Sequence, residues 1–139
     1  EIGIYHSIVR TADGRYTLEF EAGKWYPFVS ETSPVFHRTQ NEAVYIWSAI
    51  FAPVKLTVPL FYLWQYFDET DKAWVATDLV EFSITGGRDD GYRGYSRKSG
   101  VFPGHWRVDV QTAQKNIVGR VEFTIESVTE PATLTEEKR

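Results

Sequence analysis

The stretch Gly86-Gly87-Arg88-Asp89-Asp90-Gly91-Tyr92-Arg93-Gly94-Tyr95-Ser96-Arg97-Lys98-Ser99-Gly100-Val101-Phe102-Pro103-Gly104-His105-Trp106-Arg107-Val108-Asp109-Val110 decides how the rest of the chain is read. Its last six residues alternate. Trp106, Val108 and Val110 point one way, and His105, Arg107 and Asp109 point the other, which is the two-residue period of a half-buried strand. Pro103-Gly104 is a turn. Before it, Tyr92–Lys98 reads as a second strand, with Arg93, Tyr95 and Arg97 on one face. Gly86-Gly87 breaks the extended run Trp74–Thr85 that precedes them.

Downstream, Ala113–Asn116 is a loop and Ile117–Val128 completes a hairpin. Val121, Phe123 and Ile125 face a core, while Arg120, Glu122 and Thr124 face out. Glu130–Arg139 is polar, contains Pro131 and reads as a loose tail, so the expected domain is 1–128 with a flexible tail over 129–139. Upstream, Ile2–Arg10 and Arg15–Glu21 form a hairpin around Asp13-Gly14, whose two residues tolerate positive φ. Ala43–Phe51 and Leu56–Phe67 are apolar on both faces, and Asp68–Lys72 is a polar turn. Ala22–Glu42 is irregular, and its Trp25, Tyr26, Phe28, Val35 and Phe36 suggest a loop packed on its own side chains. The sum is an all-β fold: an antiparallel β-sandwich, immunoglobulin-like in architecture, with eight or nine strands and no helix.

Composition narrows the function classes. A chain of 139 residues makes one domain of ordinary size, able to bury about two-thirds of its unfolded surface. Cysteine is absent, which excludes zinc ribbons, thiol nucleophiles and iron–sulfur sites. Methionine is absent too, and Glu1 reads as a start inside a longer protein. The net charge is −4, but Gly86–Arg120 carries seven basic side chains against three acidic ones, leaving +4 there and −8 elsewhere. Nucleic-acid-binding domains are basic as a whole, so no nucleic-acid partner is expected, while the charge distribution leaves a local anion site open. No apolar run approaches the roughly 18 residues of a membrane span, so either the chain is soluble as it stands or a membrane portion lies outside it.

Several blocks run in one order along the chain: Ile4-Tyr5-His6, Val35-Phe36-His37, Phe51-Ala52-Pro53, Trp64-Gln65-Tyr66, Gly86 to Tyr95, Pro103-Gly104-His105-Trp106-Arg107-Val108 and Val118-Gly119-Arg120. In this the chain resembles the bacterial domain of unknown function 2914 family, up to about Val128. The Gly86–Tyr95 and Pro103–Val108 blocks are the most specific pieces. The resemblance implies a C-terminal soluble domain of a multi-pass membrane protein, anchored in the bacterial inner membrane by an N-terminal part, with this domain expected in the periplasm. It implies no catalytic residues.

Four candidate sites emerge. Arg88, Arg93, Tyr95, Arg97 and Arg107 are the first. Guanidinium forks bind carboxylate and phosphate bidentately, and neighbouring glycines let a ligand approach backbone N–H groups. The competing reading is structural: Gly86, Gly87, Gly91 and Gly94 shape turns and bulges, and the arginines pair with Asp89, Asp90 and Asp109 or face water. The second is an aromatic platform for a sugar built from Tyr45, Trp47, Tyr62, Trp64 and Tyr66, against the reading that these rings supply core. The third is His6, His37 and His105, which lack metal-ligand spacing. The fourth is calcium at Asp68, Glu69 and Asp71 or at Asp89-Asp90, neither of which matches the twelve-residue calcium loop.

No metal site and no cofactor is called for. Gly-x-Ser-x-Gly, phosphate-loop and dinucleotide signatures are all absent. A hydrolase would require two of Asp78, Glu81, Asp109 and Glu122 in one cleft. The expectation is a non-catalytic interaction domain whose partner is an anionic lipid, a glycan or a protein of the envelope.

Overall fold

A computed structural model describes residues 1–21, 34–51, 59–82 and 92–139. Eleven strands form among the described residues: β1 (Ile2–Tyr5), β2 (Ser7–Arg10), β3 (Tyr16–Glu21), β4 (Val35–Arg38), β5 (Val44–Ile50), β6 (Leu60–Asp68), β7 (Ala73–Phe82), β8 (Tyr92–Lys98), β9 (Gly104–Thr112), β10 (Ile117–Ser127) and β11 (Leu134–Lys138). They make a five-stranded sheet in the order β4-β10-β9-β6-β7, a central three-stranded sheet β1-β5-β8 and an outer three-stranded sheet β11-β3-β2. Every pairing is antiparallel except that of β4 with β10.

The all-β sandwich is the fold, with three departures from the sequence expectation. The predicted strand Ile2–Arg10 divides at His6, so that β1 joins the central sheet and β2 the outer one. Val35–Arg38, inside the segment expected to be irregular, forms β4 parallel to β10. The expected flexible tail is not a free end: Leu134–Lys138 pairs with Tyr16's neighbours Thr17 to Glu21 as β11, because the exposed edge of β3 still offers unpaired backbone groups. One division and two additional strands account for the higher count.

Two cores hold the layers together. Between the five-stranded and central sheets lie Val44, Ile46, Leu60, Tyr62, Trp64, Trp106, Val108, Val110, Phe123 and Ile125. The alternation read at the end of the deciding stretch is therefore correct: Trp106, Val108 and Val110 are fully buried. Polar atoms in this core are matched, since Trp64 Nε1 donates to Ser96 Oγ at 3.0 Å, Trp106 Nε1 donates to the Phe102 carbonyl at 2.9 Å, and Ser48 Oγ and Tyr62 Oη lie 2.6 Å apart. The second core, between the central and outer sheets, consists of Tyr5, Ile8, Leu18 and Trp47 with Tyr16, Phe20 and Tyr45 at its margin.

Gly94 serves this packing rather than a turn or bulge. It lies within β8, where an added Cβ would stand 2.9 Å from Phe82 Cδ2 and 3.1 Å from Tyr62 Oη. Those two rings stack at 4.3 Å, and only a missing side chain lets β8 come this close to them. The turn at Asp13-Gly14 is as expected: Gly14 has φ 81° and its N–H donates to the Thr11 carbonyl at 3.0 Å.

Candidate functional site

The alternation of β8 sets out the candidate face. Arg93, Tyr95 and Arg97 sit opposite Ala49, Trp47 and Tyr45 of β5, on the face of the central sheet that the outer sheet partly covers. From the outer sheet, Arg10 and Tyr16 are register partners across the β2–β3 hairpin. The two sheets bring these side chains into one aromatic row. The Tyr95 ring lies 6.1 Å from that of Tyr16 and 6.3 Å from that of Tyr45, and Tyr16 meets Trp47 edge-on at 4.9 Å.

A guanidinium group closes each end of the row. Arg97 Cζ lies 5.9 Å from the Tyr45 ring centroid, and Arg10 Cζ lies 5.9 Å from that of Tyr16. This is cation–π distance, at which the negative ring face attracts the cation. Arg10 and Arg97 are both exposed, and neither pairs with a carboxylate among the described residues. Tyr95 is 41% exposed. Beneath the row, the indole N–H of buried Trp47 has no hydrogen-bond acceptor among the described residues.

The other predicted site residues separate. Arg88 lies outside the described residues, as do Gly86, Gly87, Gly91, Asp89 and Asp90. Arg107 does not join Arg93 and Arg97. It lies on the outward face of the five-stranded sheet, where its Nε and Nη2 donate to Gln65 Oε1 at 3.1 and 2.9 Å and its Cζ is 4.4 Å from the Trp74 ring centroid. Next to it, Asp109 accepts from Arg120 Nε and Nη2 and from Gln65 Nε2. Burial alone would push the Asp109 carboxyl up, but the hydrogen bonds from Arg120 and Gln65 outweigh it and hold the group below its ordinary range. Asp109 is thus a structural partner of Arg120 and not of the β8 arginines.

The alternative, a sugar platform, does not form, because Trp47, Tyr62 and Trp64 are at most 1% exposed. Large rings at these positions fill the two cores. Of the four acids weighed for hydrolysis, Asp109 is engaged as above and Asp78 pairs with Lys98, which lowers its pKa through that hydrogen bond. Among the described residues no group of three or more His, Asp or Glu is arranged to hold a metal ion. No helix among them is long and apolar enough to cross a membrane.

Arg10 and Tyr16 escape a reading centred on the glycine-rich stretch. The hairpin turn at Asp13-Gly14 is the signal that finds them, since it places Arg10 directly across from Tyr16.

No curated protein matches the chain. One solved structure, the Pseudomonas fluorescens alkylpurine DNA glycosylase AlkC bound to DNA containing an abasic site analog, aligns with 91% of this chain at 15% sequence identity and a TM-score of 0.34. The chain spans 30% of that protein's length, and a likeness at this level bears on neither fold nor function. Residues 58–125 match the model of the family described as "Protein of unknown function (DUF2914)", which supports the resemblance carried by the Gly86–Tyr95 and Pro103–Val108 blocks, both inside the matched span.

Proposed function

We propose that this domain is a non-catalytic interaction module that holds an anionic group of an envelope component against the arginine–tyrosine row. The observation that carries the reading is the pair Arg10 and Arg97: two exposed guanidinium groups, each over a tyrosine ring and neither with a carboxylate partner among the described residues. A guanidinium in that position keeps its outward donors for a phosphate or carboxylate, while Tyr95 offers a ring face and a hydroxyl between them. The periplasmic setting, and a membrane-embedded N-terminal part, enter this proposal through the family resemblance.

The test is binding of the chain and of Arg97→Gln to anionic lipid vesicles, acidic glycans and neutral glycans, at low and at physiological salt. Binding to an anionic target that fades with salt and weakens in Arg97→Gln is the expected result. Salt-insensitive binding to neutral glycans, or equal binding by the variant, would overturn the reading.

A further inference from the structure

His6 sits at the bend where one extended run leaves the central sheet and enters the outer one, with a side chain only 4% exposed. Both of its ring nitrogens meet carboxylates: Nε2 lies 2.9 Å from Glu21 Oε2 of β3, and Nδ1 lies 3.1 Å from Glu42 Oε2, just ahead of β5. An ionised carboxylate only accepts, and a neutral imidazole donates from one nitrogen alone. The neutral ring would therefore turn a lone pair on one of the two carboxylates. Only the doubly protonated imidazolium satisfies both contacts.

The same ring reaches the third sheet. It stacks on Phe36 of β4 at 4.0 Å and 13°. Glu21 continues the chain of contacts into β4, accepting the His37 backbone N–H at 2.8 Å and lying 2.5 Å from His37 Nδ1. His37 Nε2 is in turn 3.5 Å from Glu126 Oε2 of β10. Two further charged residues bond to this cluster: Arg38, whose Nε donates to the Glu42 carbonyl at 2.7 Å, and Glu19, whose carbonyl accepts the His6 backbone N–H at 2.8 Å.

We propose that His6 is a proton-operated clamp, which ties the three sheets together while its ring carries both protons and releases one carboxylate when it loses one. Burial works against the charged ring, yet the hydrogen bonds it donates to Glu21 and Glu42 raise its pKa above 6.5. The sign follows: a raised folded-state pKa means that the stabilisation is complete below 6.5 and is lost as pH climbs through the folded value. The clamp does not rest on the ligand reading of the arginine–tyrosine row.

The experiment is denaturant unfolding of the chain and of His6→Gln between pH 5 and 9, with the His6 ring titrated by NMR. The chain has three histidines and no cysteine, so the ring resonances that report on the clamp are few and separable. In the unsubstituted chain the unfolding constant should rise with pH, by at most tenfold per unit for one proton, and the difference between the two proteins should shrink over the same interval. Should His6→Gln fail to fold, Glu42→Gln replaces it and should move the His6 titration down toward 6.5. A His6 ring that titrates at or below 6.5, or a difference between the proteins that does not change with pH, would overturn the clamp.

Discussion

Along the β8 face, Arg10 and Arg97 lie over tyrosine rings with no carboxylate beside them among the described residues, whereas at the bend after β1 both nitrogens of His6 meet a carboxylate. Water explains the difference. The two arginines are exposed and stay hydrated, so leaving them unpaired costs little. His6 and Glu21 are largely cut off from solvent, where an unpaired charge is expensive. Completed pairing therefore marks a group that works for the fold, and under the proposed function the two surface guanidinium groups keep their outward donors for a ligand.

That contrast can be broken by mutation. Trp106→Ala sets the scale of a core loss, about 3–5 kcal/mol, because a fully buried indole leaves a cavity and orphans the Phe102 carbonyl. Glu21→Ala should come close, at about 3 kcal/mol by urea unfolding, since it strips carboxylate from two imidazoles and a backbone N–H. A loss below about 1 kcal/mol would place the histidine chain with ordinary surface pairs.

Acid sharpens the same point. Burial tends to raise the Glu21 pKa, but the hydrogen bonds from His6 and His37 win and hold it at about 2 against the ordinary 4.5. A lowered folded-state pKa gives stability that is present above 4.5 and is lost as pH falls toward about 2. The unsubstituted chain should lose stability more steeply than Glu21→Gln across that window; parallel curves would contradict the pairing. The smallest effect belongs to the other region: Arg97→Gln should change stability by no more than about 0.5 kcal/mol while weakening salt-sensitive binding.

Strands with one buried face were legible because burial writes itself into the sequence as alternation. Trp106, Val108 and Val110 reveal their inward face directly, whereas Leu60, Tyr62 and Trp64 lie in a run apolar on both faces and their burial was not legible that way. β11 carries no such record: Leu134-Thr135-Glu136-Glu137-Lys138 is mostly exposed, and backbone pairing with β3 fixes it. β4 is four residues long and too short to show a period.

The geometry of the candidate face was half legible for a related reason. Arg93, Tyr95 and Arg97 share a face because they alternate within one strand, but Arg107, ten positions beyond Arg97, lies on a different sheet. The contacts among His6, Glu21, His37 and Glu42 join residues 15 or more apart and leave no local motif.

The bend at His6 has a consequence for how the molecule opens. β1 and β2 are consecutive, separated by one residue, yet they hydrogen-bond into different sheets. Peeling the outer sheet away must drag on that residue and, through it, on the central sheet. Amide hydrogens of β1 and β2 should therefore exchange with a common opening free energy, as one cooperative unit spread over two sheets.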